Sequence, residues 1–192
     1  TPETLAKMEA NLPASLAMLP SQPQFDVIGY GCTSGAVVIG PERICEIIET
    51  ERPGAKATNP ISAVMDACRA LDATRIGLVT PYSLEVSQRM MDVLKANGFE
   101  IAAFGSFEEE KDSVVARMAE STTLQAVLDI GSASEVEVVF ASCTNLRAFG
   151  IIEEAEAKLG KPVISSNLAL SWRMLRLAGV TDASGPGRLF QL

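Results

Sequence analysis

Apolar residues recur along this chain in two alternating rhythms. Short β-branched runs are separated by longer segments in which apolar positions return every third or fourth residue. Leu5, Met8, Leu12, Leu16 and Leu19 mark a helix starting at Pro2 or Thr4, which Pro13 is expected to kink or split. Ile44, Ile47 and Ile48 predict a helix from Pro41 to the Glu51-Arg52-Pro53-Gly54 stop, and Asn59-Pro60 opens one carrying Ile61, Val64, Met65, Cys68 and Leu71 inward. Further helices are expected over 84–96, closed by Asn97-Gly98, from the acidic run 108–112 through Met118, from a Ser121 cap to about Gly131, and over 148–159 and 167–178. Strands are expected at 25–30, 55–58, 75–80, 99–107, 136–141 and 161–165. Residues 136–141 are apolar almost throughout, as in a strand covered on both faces. Ser21-Gln22-Pro23-Gln24 reads as a loop and 181–187 as a loose tail. Strands alternating with helices predict an α/β fold with mainly parallel sheets.

The pattern also repeats. Ile28-Gly29-Tyr30-Gly31-Cys32-Thr33-Ser34-Gly35 and Phe140-Ala141-Ser142-Cys143-Thr144-Asn145 each follow an apolar run. Each then leads through a helix to a polar turn, Thr58-Asn59-Pro60 in the first series and Ser165-Ser166-Asn167 in the second, and to another helix. Two lobes related by a pseudo-two-fold follow, residues 1–72 and 73–165, with 166–192 packing back on the first. That symmetry sets the two cysteine loops face to face across one cleft. The second series opens with strand 75–80 and Thr80-Pro81-Tyr82, whereas nothing comparable precedes Cys32. The first lobe is therefore expected to lack its opening strand; the competing account is a complete chain whose first sheet has one strand fewer.

Composition narrows the chemistry. A chain of 192 residues can bury a sizeable core, and 47% apolar with 21% charged residues is a globular balance. The net charge of −8 offers no basic footprint for nucleic acid or an anionic membrane surface. No apolar run reaches the roughly 18 residues that span a bilayer, and no secretory signal is visible. Four cysteines without close spacing then read as reduced thiols of a cytoplasmic protein. Histidine is absent, which removes His-built zinc sites, Ser-His-Asp triads and Cys-His dyads from this chain. Acid–base work near neutral pH falls to Cys, Lys, Tyr or a perturbed carboxylate.

Cys32 stands where a parallel strand ends, the usual ligand edge of an open α/β sheet, between glycines that admit backbone N–H groups to a ligand. A thiol starts near a pKa of ~8.5, so a modest fall makes a base or nucleophile. With Cys143 at the matched position, two exposed thiols form a candidate catalytic pair. Cys45 and Cys68 lie on apolar helix faces and read as packing. Gly29-x-Gly31-x-x-x-Gly35 has the wrong spacing for a dinucleotide loop. The turns holding Thr58, Asn59 and Asn167 are either plain helix caps or caps that also meet a carboxylate. Tyr82 falls at the same rim as the cysteines, and 108–112 is a solvated helix start.

Gly31-Cys32-Thr33-Ser34-Gly35, Thr58-Asn59-Pro60, Thr80-Pro81-Tyr82, Ser142-Cys143-Thr144 and Ser166-Asn167 together resemble the aspartate/glutamate racemase superfamily. The nearest branch is that of maleate cis–trans isomerase and arylmalonate decarboxylase, with most likeness to its ectoine-utilisation members. The resemblance implies two flavodoxin-like lobes, no metal or organic cofactor, a small carboxylate or dicarboxylate substrate between the lobes, and a homo-oligomer, dimer or tetramer. By position it makes Cys32 and Cys143 the two thiols and gives Thr33, Ser34, Thr144 and Asn145 carboxylate contacts and Tyr82 a phenol donor. Keeping both cysteines points to isomerase or racemase chemistry. A malonate-type decarboxylase and a non-catalytic ligand-binding subunit are the alternatives. Maleate isomerases carry an Asn near Asp112-Ser113 that this sequence lacks.

Overall fold

The computed structural model describes residues 2–22 and 24–192, excluding the side chains of Pro2, Glu3, Leu5 and Ala6; the inward Leu5 and the loop residue Pro23 lie outside what is described. Two parallel sheets form. Strands β1 (Val27–Gly29) and β2 (Lys56–Thr58) pair through Ile28 and Ala57, while β3 (Arg75–Thr80), β4 (Glu100–Ser106), β5 (Val138–Ala141) and β6 (Val163–Ser165) align in the order β4-β3-β5-β6. β1–β2 is thus the counterpart of β5–β6, each beginning with the strand that leads to a cysteine. All four residues of β5 are buried, as its apolar run predicts.

Helix α1 (Pro2–Ala17) runs continuously through Pro13, contrary to the expected break, and stops before Leu19. Proline removes one intrahelical bond, yet Leu12 and Leu16 are buried where α1 packs on α2 (Thr33–Ile39) and α3 (Pro41–Glu51). Arg52 closes the helix end, its guanidinium donating to the carbonyls of Leu16, Leu19 and Pro20. Between the sheets, α4 (Pro60–Ala70) packs along α9 (Ser166–Leu177), and Arg173 meets Asp66 at 2.9 Å. α9 also lies on β1 and β2, where the Lys56 ammonium donates to the Leu177 carbonyl at 2.7 Å.

Helices α5 (Leu84–Ala96), α6 (Asp112–Val115), α7 (Glu120–Gly131) and α8 (Ile152–Leu159) complete the chain. α7 begins after Ala119, two residues before the expected Ser121 cap. Residues 181–187 form no helix or strand, as expected, but the chain after them is fastened. Leu189 is buried, and Glu156 accepts N–H bonds from Val163 at 2.9 Å and from Arg188 at 2.9 and 3.2 Å. A carboxylate from one helix therefore fastens both β6 and the last turn, a long-range contact with no local pattern behind it.

Candidate active site

Both cysteine loops leave the carboxyl ends of their strands. Past β1, the Tyr30 N–H still pairs with the Thr58 carbonyl at 2.9 Å, and the chain then turns at Gly31 into α2. Cys32 is the N-cap of that helix, its sulfur accepting the Gly35 N–H at 3.3 Å and lying 3.7 Å from the Ser34 hydroxyl. Past β5, the Ser142 N–H holds the Val79 carbonyl at 2.8 Å, and Cys143 sits in the left-handed region at φ 108°. Non-glycine residues in that region carry strain of about 1–3 kcal/mol and persist where surrounding bonds over-determine them. Here the Cys143 N–H donates to the Ser166 hydroxyl at 3.0 Å, and its sulfur accepts the Asn145 N–H at 3.4 Å.

Ser166 joins the loops. Its oxygen also accepts from the Thr33 hydroxyl at 2.8 Å, so one buried atom touches both cysteine loops. A second tie runs from the Thr144 hydroxyl to the Gly31 carbonyl at 2.9 Å, and Asn167 donates to the Thr144 carbonyl at 2.9 Å. Tyr82, half-buried after β3, shares a hydrogen bond with Cys143 and feels the charge of both Cys143 and Cys32. Burial first, and those thiols next, hold its phenol well above the usual range, so it stays protonated as a donor. Burial likewise pushes the Cys143 thiol up, outweighing donors from Asn145, Tyr82 and Leu146, and Asp112 adds to the rise. Cys143 is therefore a protonated thiol at neutral pH.

Several expectations need correction. Cys143 is buried at 6% exposure, not open, and Cys32 is only half-buried. The Thr33 hydroxyl, buried against Ser166, is engaged in holding the loops together. Thr58 is buried, and its carbonyl supports Tyr30. Asn59 is fully buried; its amide caps α4 at Ser62 and donates to the Pro41 carbonyl, the plain-cap reading of that turn. In the second turn the cap is Ser165, accepting from Leu168 at 3.1 Å, and not Asn167. Ser34 and Tyr82 do line an open cleft of about 300 Å³, and Asn145 is exposed beside Cys143. Cys68 is core, its thiol raised to about 12 by burial, whereas Cys45 is half-buried and contacts the Asn59 amide at 3.7 Å. Ser166 went unrecognised as the joint, because a serine beside a helix cap carries no mark of its long-range partner.

The cleft wall beyond Ser34 and Tyr82 is acidic, with Glu85, Glu109, Glu110 and Asp112. Among the described residues no group of three or more His, Cys, Asp or Glu side chains is placed to hold a metal ion, and no helix is long and apolar enough to cross a membrane.

The family model for arylmalonate decarboxylase matches residues 45–190, which include Tyr82, Cys143 and Ser166. The maleate isomerase of Nocardia farcinica is 28% identical over 200 residues, covering 100% of this chain and 79% of that protein. The arylmalonate decarboxylase of Bordetella bronchiseptica is 31% identical over 143 residues, 73% of this chain and 60% of that protein. Among solved structures, a cysteine-to-serine mutant of the Nocardia farcinica maleate cis–trans isomerase with a covalently bound succinylcysteine intermediate superposes with a TM-score of 0.89 at 27% identity, covering 99% of this chain and 80% of that one. The two-lobed α/β fold is that of these proteins.

Proposed function

The chain belongs to the arylmalonate decarboxylase family, and from that premise we propose that it is a cofactor-independent isomerase or racemase of a small carboxylate, working with Cys32 and Cys143. The observation that carries this reading is the pair of thiols on loops tied to each other through Ser166 and Thr144. The two sulfurs differ in surroundings. Cys143, buried and protonated, is the acid. Cys32, half-buried with a backbone N–H on its sulfur, is the base or nucleophile.

For an α,β-unsaturated carboxylate, the Cys32 thiolate adds to the β carbon and the electron pair moves through the α carbon onto the carboxylate. The Cys143 thiol protonates the α carbon, leaving a thioether with a freely rotating single bond. After rotation Cys143 takes a proton back, the C–S bond breaks, and Cys32 leaves as thiolate with the opposite alkene geometry released. A succinylcysteine intermediate in a relative of 27% identity supports this order of bond making. For an α-acidic carboxylate the same groups act without the C–S bond, Cys32 removing the α proton and Cys143 delivering one to the other face. Both routes put charge on the carboxylate, where one well-placed donor is worth about 3–4 kcal/mol. Ser34, Ser83 and Tyr82 are among the cleft hydroxyls available for it.

The test is incubation in D2O with a panel of maleate, arylmalonates and chiral α-substituted carboxylates, followed by NMR. Geometric conversion or α-deuteration of at least one member is expected. Loss of CO2 without isomerisation or racemisation would replace this reading with a decarboxylase, and inertness towards the whole panel would leave a ligand-binding subunit.

The acidic wall makes a further prediction. Asp112 lines the cleft and acts on Cys143, so a second carboxylate on the substrate meets like charge there. Asp112→Asn is expected to raise kcat/KM for dianionic relative to monoanionic substrates by about ten-fold, the size of one like-charge contact near a protein surface. Parallel kinetics on one substrate of each charge, at low and high salt, would check it.

A further inference from the structure

The chain contains only two tyrosines, and each phenol is electrostatically coupled to one of the two candidate thiols. Tyr82 serves Cys143; Tyr30 serves Cys32. The second pairing is built with some care. The backbone of Tyr30 is fixed by its N–H bond to Thr58, its ring is 9% exposed, and its hydroxyl lies 3.7 Å from the Met8 sulfur. Across from it, the first turn of α2 carries Gly35. A Cβ there would collide with the Tyr30 hydroxyl and stand 3.1 Å from the Cys32 sulfur. Oxygen and sulfur thus share the space that a side chain at position 35 would fill.

A ring that only packs does not need its oxygen. Phenylalanine would fill the same volume, and a buried hydroxyl costs free energy unless it is bonded. The partners available to this one are two sulfurs. A neutral thioether is a weak acceptor, whereas a charged thiolate is a strong one. We infer that Tyr30 is a positioning residue for Cys32, its phenol resting against Met8 and turning to donate to the Cys32 sulfur whenever that sulfur carries charge. Burial and the neighbouring thiol raise the phenol to about 12, so it remains a donor throughout the neutral range. It transfers no proton. It steadies the thiolate before addition and as the sulfur departs. The role rests on the thiol chemistry proposed above, but the Tyr30–Cys32 contact can be read without any substrate.

In the full chain, iodoacetamide alkylation of Cys32 is followed by peptide mass spectrometry at fixed pH, with Cys143 as internal reference. Tyr30→Phe is expected to slow Cys32 alkylation about ten-fold, the usual worth of a hydrogen bond to a charged group, and to leave the Cys143 rate alone. With a turned-over substrate, kcat should fall by a similar factor and KM should not change. Met8→Leu, which removes only the resting acceptor, should leave Cys32 alkylation at or above the parent rate. A folded Tyr30→Phe chain whose Cys32 alkylates within two-fold of the parent would overturn the assignment. If the chain turns over no carboxylate while Cys32 alkylation still depends on Tyr30, the catalytic reading fails and the contact stands.

Discussion

Cys32→Ala and Cys143→Ala, made separately, are each expected to lower turnover by about 10³-fold, within the range attributed to a positioned proton-transfer group. The reason is division of labour, since neither thiol can replace the other. Cys143 is buried and held protonated, so it can give a proton but is a poor nucleophile as it stands. Cys32 is half-buried, takes a backbone N–H on its sulfur and stands on the loop after β1, in the other sheet. The two losses should also differ in kind. Without Cys143, no thiol takes the α proton back from the adduct at Cys32, so single-turnover mass spectrometry should find the thioether accumulating, as in the cysteine-to-serine relative that holds a succinylcysteine. Without Cys32, no adduct forms at all, and deuterium should not enter the substrate. Neither change should unfold the protein. Cys32→Ala removes one sulfur cap at 3.3 Å, and losing a cap costs about 1 kcal/mol. Wild-type turnover in either variant, measured with a substrate found in the NMR panel, would remove the two-thiol scheme.

Ser166→Ala is expected to lower both stability and turnover, by about 2–4 kcal/mol and by about 10²-fold. The stability loss comes from two buried groups left short of a partner, the Thr33 hydroxyl and the Cys143 N–H, at about 1–3 kcal/mol each. The turnover loss follows from strain. Cys143 holds a left-handed backbone that its Cβ disfavours, and the Ser166 bond is one of the contacts keeping it there. Released, the loop should relax and carry its sulfur away from the opposite thiol, and displacements near 1 Å can cost about 10²-fold in rate. Urea melts and kcat for Ser166→Ala and Ser166→Thr, which keeps the hydroxyl, would separate the two effects. Full activity in Ser166→Ala would show that the loops need no such joint.

The parts of this site legible in the sequence were those with local causes. Cys32 and Cys143 stood out because each follows an apolar run and opens a polar loop. Asn59 stood out as a cap because it precedes a proline at the first helical position, and the structure uses it so. Tyr82 was found from its place at a strand end and does line the cleft. Where the expectations went astray, the deciding partner lay far away in the chain. The Thr33 hydroxyl, one of the two groups expected to meet a carboxylate, bonds Ser166. The turn after the expected loose stretch 181–187 is held by Glu156, which accepts the Arg188 N–H.

By itself, the sequence determined the alternation of strands and helices, the parallel sheets and the two repeated cysteine loops. Hydrophobic period, capping and turn chemistry act over a few residues, and so they can be read in order along the chain. The tertiary structure alone decided how the thiols differ. Burial pushes one thiol up and leaves the other half-open, and the acidic wall, the Ser166 joint and the Tyr30 phenol arrive from elements remote in sequence. Desolvation and hydrogen bonding depend on distance through space, and two loops of nearly the same composition came to hold their thiols in different surroundings through what folding placed around them.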